Sequence, residues 1–296
     1  MRNTLNKSLL FSLTAVFLWS TVATAFKLSL EYLSFPQLLF YASLTSAIIF
    51  LILSSWRTEK MTVDIVKSAF SFKSSLLGFI NPFLYYIILL KAYTLLPAQE
   101  AQPLNFTWPI VVSIFASIFL KQRLAATTFF GLLISFSGVF VIATRGNIFS
   151  LQFNNLLGVS LAVGSSLVWA AYWTLNLSDK RSSYVKLFGS FFWGSVFTAV
   201  YILFFDSFEV QSIFFITGAV YIGFFEMGFT FYFWLRGLEL SNDKAKTSTL
   251  AYISPFVSML FIAFILGEEI YLSSLAGLFL IISGIVFQHV FTRPKS

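Results

Sequence analysis

The chain has 296 residues, 58% of them hydrophobic and only 10% charged, with a formal net charge of +7. A water-soluble domain carries about 25% charged residues, so this chain lacks the charge to cover a water-facing surface, and most of its apolar side chains face lipid or one another. It has no cysteine and a single histidine, His289, which excludes disulfides, thiolate chemistry and a Cys/His metal site.

A helix needs about 20 apolar residues to cross a bilayer core. Runs of this kind fall at 8–30, 36–55, 74–95, 98–120, 126–145, 155–177, 185–205, 212–236, 244–266 and 272–291. The spacing predicts an all-α membrane protein of ten transmembrane helices, with short connections apart from 56–73. Arg2 and Lys7 before an apolar run, with Ala23-Thr24-Ala25 inside it, imitate a cleaved secretory signal. The run continues to Leu30, so the segment reads as a first span. With the N-terminus in the cytoplasm, 16 Lys and Arg fall in inside segments and only Lys27, Lys91 and Arg145 outside. That bias predicts both termini on the cytoplasmic side of an inner membrane, and it ties the basic excess to topology rather than to nucleic acid.

Polar and large aromatic side chains inside spans are costly in lipid and tend to face a cavity or another helix. In chain order, Trp19 lies in the first span. The third carries Asn81-Pro82 with Tyr85 one turn on, a site wall or a kink with its own amide cap. The fourth is the most polar, with Pro97, Gln99, Glu100, Gln102, Pro103, Asn105, Trp108 and Pro109. Gln102, Asn105 and Pro109 share a face, and each proline removes a backbone donor. This reads as a broken helix lining a site, or as a kink held by polar neighbours. Glu100, near the outer end, is compatible with a gate, a site or plain surface. The sixth span carries Trp169, Tyr172, Trp173 and Asn176 on one face, a cavity wall for organic solutes or an aromatic belt. The eighth holds Glu226 near its middle, where an ionised acid costs about 3 kcal/mol. Such a group contacts a substrate amine, carries a coupling proton, or serves as a neutral structural acid. Tyr252 in the ninth span is a further candidate. Gly131, Ser135 and Gly138, and likewise Gly277 and Gly284, read as packing seams.

The two halves resemble each other. At a shift of 146 residues Pro109 meets Pro255, Leu120 meets Leu266, Gly131-Leu132 meets Gly277-Leu278, and Ser137-Gly138 meets Ser283-Gly284. Trp19 meets Trp169 at a shift of 150. Each half, 1–147 and 148–296, holds five spans, and an odd number enters the second copy upside down. Inverted repeats are the architecture from which alternating access follows, with a midplane site walled by the first, third, fourth, sixth, eighth and ninth helices.

A proline-interrupted helix, an acid in the next turn and a glycine-bearing helix, here Pro255, Leu266-Gly267-Glu268, Gly277 and Ser283-Gly284, together with Trp19-Ser20 and Trp169-Ala170, resemble the EamA-type drug/metabolite transporter superfamily over almost the whole chain. Two positions depart from the pattern. Gln122 stands where relatives usually have an acid, and no Lys or Arg lies between Lys27 and Arg57. The resemblance implies a carrier of small organic metabolites, of which amino acids and related compounds come first, with export as the direction. Nucleoside-like metabolites, drugs and a channel-like facilitator are the alternatives. It implies no cofactor. The expected partners are a small-molecule substrate, the lipid bilayer and a candidate coupling proton; one chain suffices, and a dimer is compatible. The sequence holds no GxxxxGK[ST] loop, HExxH motif or paired intramembrane aspartates, so an enzyme is not expected.

Overall fold

A computed structural model describes residues 2–56, 67, 69–111, 114, 126–149, 155–177, 179–241, 247 and 249–291. Leu120, Lys121, Gln122 and Arg123 lie outside the described residues, as do Arg57, Lys60, Lys244, Lys246, Arg293 and Lys295. Every regular element among the described residues is helical, the only open form whose backbone satisfies itself in hydrocarbon. In chain order these are α1 (Arg2–Leu30), α2 (Phe35–Trp56), α3 (Phe72–Leu95), α4 (Ala98–Asn105), α5 (Ala126–Ala143), α6 (Leu156–Leu177), α7 (Ser183–Phe205), α8 (Ile213–Leu238), α9 (Thr249–Leu266) and α10 (Leu272–Phe291).

Among the described residues, seven helices are long and apolar enough to cross a membrane: α1, α2, α3, α6, α7, α8 and α9. The expected number of ten is not reached on length alone. The apolar stretches of α5 and α10, Phe129–Ala143 and Leu272–Gln288, are shorter, and much of the run after α4 lies outside the described residues. Phe129, Phe130, Leu133 and Phe136 on α5, Leu203, Phe204 and Phe205 on α7 and Phe264 on α9 point away from the protein. Part of the phenylalanine surplus therefore forms a lipid-facing coat.

The helices pair in a regular way. α5 packs on α10, α2 on α7, α1 on α8 and α9, and α6 on α3 and α4. The α5–α10 seam is set by glycine. A Cβ on Gly138 would lie 2.5 Å from the Gly277 carbonyl oxygen, and one on Gly131 would lie 2.7 Å from that of Gly284. Residue numbers rise along one helix as they fall along the other, so the two run antiparallel. Along α2 and α7, Phe50 stacks on Phe191 (5.7 Å) and Phe35 lies 6.4 Å from Tyr201, again antiparallel.

Four helices are broken. In α3 the backbone of Asn81 is extended (φ −148°, ψ 124°) within a π-turn at Phe79–Leu84, beside a proline that offers no N–H. α4 ends at Phe106 and helical geometry resumes at Trp108. α8 carries a π-helical stretch at Ile222–Thr230, and α9 opens with a 3-10 turn and closes with another π-turn. Irregular backbone at membrane depth survives only where protein or a cavity covers it.

Candidate functional site

The breaks in α4 and α8 and the 3-10 turn that opens α9 border a cavity of about 220 Å³. α1 presents Trp19, Val22, Ala23 and Phe26, and α3 presents Tyr85, Leu89 and Tyr93, each set at helical spacing on one face. α4 and the turn after it add Gln102, Asn105, Phe106 and Trp108, and α6 adds Trp169, Trp173 and Thr174. α8 and α9 close the ring with Glu226, Trp234, Leu238, Ala251 and Ser254. Three helices come from each half of the chain, the six named from the sequence.

The walls are mostly aromatic. Tyr85 lies 4.5 Å from Trp169, Trp169 meets Trp173 edge-on at 5.8 Å, and Trp19 lies 5.1 Å from Trp234. The polar groups divide into satisfied and unsatisfied. Tyr85 Oη donates to Asn105 Oδ1 (3.1 Å), and Asn105 Nδ2 donates to Ser165 Oγ (2.8 Å), so that amide is used at both ends. Tyr86 Oη donates to Glu226 Oε1 (2.8 Å). The Trp19 indole comes near the same carboxyl without reaching hydrogen-bonding geometry, and Oε2 has no donor. Gln102 Oε1 also has none. Glu226 and Gln102 are only 7% and 6% exposed, so bulk solvent does not supply the missing donors.

Not every residue singled out from sequence lies here. Asn81 and Tyr172 are fully buried but outside the cavity, with the Asn81 amide beside the Tyr172 hydroxyl, which accepts from Asn176 Nδ2 (3.0 Å). The extended backbone at Asn81 turns its side chain toward α6 and so takes it off the Tyr85 face. Tyr252 does not line the cavity either. Glu100 is not at an exposed outer surface: it is 1% exposed and ion-paired, with Arg145 Nε 2.7 Å from its Oε1. Arg145, counted from sequence among the outside residues, lies 4.9 Å over the Tyr271 ring. Sequence reasoning passed over Tyr86, the partner of Glu226, and the walls Phe26, Tyr93 and Trp234.

A second concavity shares no lining residue with this cavity and is lined by Lys27, Thr94, Leu96, Gln99, Glu268 and Tyr271 among others. Lys27 Nζ ties α1 to the end of α3, donating to the carbonyls of Tyr93 (2.9 Å) and Leu96 (3.0 Å). Glu268 ties the start of α4 to the turn before α10: its carboxylate accepts from the Ala98 N–H (3.0 Å), the Gln99 N–H and Gln99 Nε2. Gln99 Oε1 in return accepts from the Tyr271 N–H (2.7 Å).

The chain is similar over 288 residues, at 26% identity, to an uncharacterized transporter of Archaeoglobus fulgidus, a match covering 95% of this chain and 98% of that one. It is 27% identical over 233 residues to the uncharacterized transporter YvbV of Bacillus subtilis, covering 73% and 70% respectively. A solved crystal structure superimposes with a TM-score of 0.68 at 18% identity, over 95% of this chain and 96% of that one, and at that identity it speaks for the fold alone. The model of the EamA-like transporter family matches twice, over residues 6–144 and again over 156–288. With nearly the whole length covered by those two matches, this multi-pass membrane protein belongs to the EamA-like transporter family.

Proposed function

We propose that the chain is a secondary carrier that moves small organic solutes across the inner membrane by alternating access. Its frame is ten transmembrane helices in two inverted five-helix units, 1–147 and 148–296, with both termini in the cytoplasm. The observation that carries this reading is the cavity, walled by three helices from each unit and sharing no lining residue with the concavity at Glu268. A channel needs one continuous path, whereas a carrier needs one end closed while the other is open.

The helix pairing supports the inverted frame. Exchanging the two units turns the packing of α1 on α8 and α9 into that of α6 on α3 and α4, and it maps α2–α7 and α5–α10 onto themselves. Because α5 and α10 run antiparallel through Gly131/Gly284 and Gly138/Gly277, the exchanging axis lies across the helices, as an inverted repeat requires. Solute enters between the units, the units rock, and the Lys27 and Glu268 contacts part as the opposite end closes. Glu226 is the group placed to hold a coupling proton or a solute amine. The family resemblance puts amino acids and related compounds first and export as the direction.

Counterflow in proteoliposomes is the test. A carrier accumulates labelled solute transiently against excess unlabelled solute inside, and saturates. Flux without saturation or counterflow would show a channel and end this reading.

A further inference from the structure

We propose that the solute is an organic cation, an aromatic or alkyl amine, in place of the zwitterionic amino acids that the family resemblance puts first; this rests on the cavity being the carrier's solute site. Two residues that line the cavity, Glu226 and Gln102, each carry a buried oxygen without a donor, Oε2 and Oε1. They call for N–H groups from whatever fills it. Among the described residues, none that lines it is a lysine or an arginine. Among the described residues Lys27 is engaged by the Tyr93 and Leu96 carbonyls, Arg145 by Glu100 and Arg181 by Asp179, and Arg236, between the lining residues Trp234 and Leu238, has a partner of its own and does not line the cavity.

A carboxylate or phosphate entering the cavity therefore meets the Glu226 carboxyl with no counter-charge, in surroundings too apolar to screen the repulsion. An ammonium meets the opposite. The carboxylate and the Gln102 carbonyl accept its N–H groups, and the faces of Trp19, Trp169, Trp173 and Tyr85 attract its charge and pack its hydrocarbon. Tyr86 holds the other carboxylate oxygen at 2.8 Å, so the free one keeps its place when solute leaves.

The test uses a matched pair, 2-phenylethylamine and phenylalanine, which differ by one carboxylate. Binding to the purified full chain in detergent is read by quenching of tryptophan fluorescence. The amine is expected to bind at least about tenfold more tightly than the amino acid, since only the amine avoids an unpaired buried charge. Glu226→Gln weakens amine binding by about tenfold and leaves phenylalanine within about threefold, and Gln102→Met weakens the amine several-fold. Equal or tighter binding of phenylalanine overturns the proposal, as does unchanged amine binding in a Glu226→Gln protein of unaltered melting temperature. If Glu226→Gln does not fold, the wild-type ratio and Gln102→Met decide. Counterflow with the same pair and a nucleoside separates the two levels. Exchange of phenylalanine or nucleoside but not of amine sinks the cation and leaves the carrier, while saturable binding with no counterflow of any solute sinks the carrier reading itself.

Discussion

Glu226 and Glu100 are both buried acids on broken helices, and they differ in what the protein gives them. Glu100 faces a guanidinium at 2.7 Å, and Arg145 is held in place by a left-handed backbone (φ 49°) and by the Tyr271 ring. Glu226 receives one phenolic hydrogen bond and no cation, its other oxygen has no donor, and the residue lines a cavity. Glu268, at the same end as Glu100, accepts from three N–H groups. A carboxylate whose acceptor sites the fold fills holds elements together; one left half-filled beside a cavity is kept for something that comes and goes.

The largest effect expected from that contrast is functional. Glu226→Gln should lower counterflow by at least about tenfold while costing less than about 1 kcal/mol of stability, because the Tyr86 hydroxyl can still donate to an amide oxygen. Normal transport, or a protein that melts far below wild type, would erase the distinction between the two acids. At the other acid the effect reverses. Arg145→Ala strands Glu100 and should cost about 2 kcal/mol in detergent melts, below the full value for a buried pair because the arginine is partly exposed. Adding Glu100→Gln to Arg145→Ala should restore more than half of the loss. Failure of that rescue would mean the pair does not hold the end together.

A smaller effect sharpens the role of the closed end. Glu268→Gln replaces a carboxylate by an amide that accepts less well, weakening its three hydrogen bonds by about 1 kcal/mol in all. In a chain free of native cysteine, Ala23→Cys places a thiol in the cavity wall. If the Gln99–Glu268 contacts close that end of the cavity, labelling of that thiol from the Glu268 side should rise several-fold in the Glu268→Gln background. Unchanged labelling would show that the Gln99–Glu268 contacts do not close it.

The sequence displayed some of this and hid the rest for physical reasons. Seven of the spans were legible because lipid enforces long apolar runs, and Glu226 stood out because an acid in mid-span is costly. Trp19 and Trp169 were found through the repeat. Tyr86 was not, because helical spacing from Asn81 selects Tyr85, whereas the π-turn at Phe79–Leu84 resets the phase and leaves the two tyrosines facing different partners, Asn105 and Glu226. The same break explains why Asn81 left the site. The Gln99–Glu268 contacts join residues 169 positions apart, and the Arg145–Glu100 bond spans 45, separations at which no local pattern gives warning. Arg145 entered the sequence reading only as an outside charge because its partner lay in another span.

The far end of the molecule offers the mildest test, with a third acid whose acceptor sites are filled. Asp179, between α6 and α7, accepts from Arg181 Nη2 (2.6 Å), Nε and backbone N–H, and lies 3.5 Å from Lys73 Nζ. Burial by itself would raise its carboxyl; the Arg181 hydrogen bonds and the two positive charges outweigh that and hold it at about 2, below the ordinary 3.8. A depressed carboxyl stabilises the fold fully above its unfolded value and loses that contribution as pH falls through the folded one. Asp179→Asn should therefore melt early at pH 7, by about 1 kcal/mol after allowance for solvent screening of Lys73. The gap from wild type should close as the pH falls from about 4 toward 2, where both side chains are neutral. A gap that persists undiminished to the acid limit would assign the loss to packing rather than charge, and would remove Asp179 from the set of acids whose role is set by their partners.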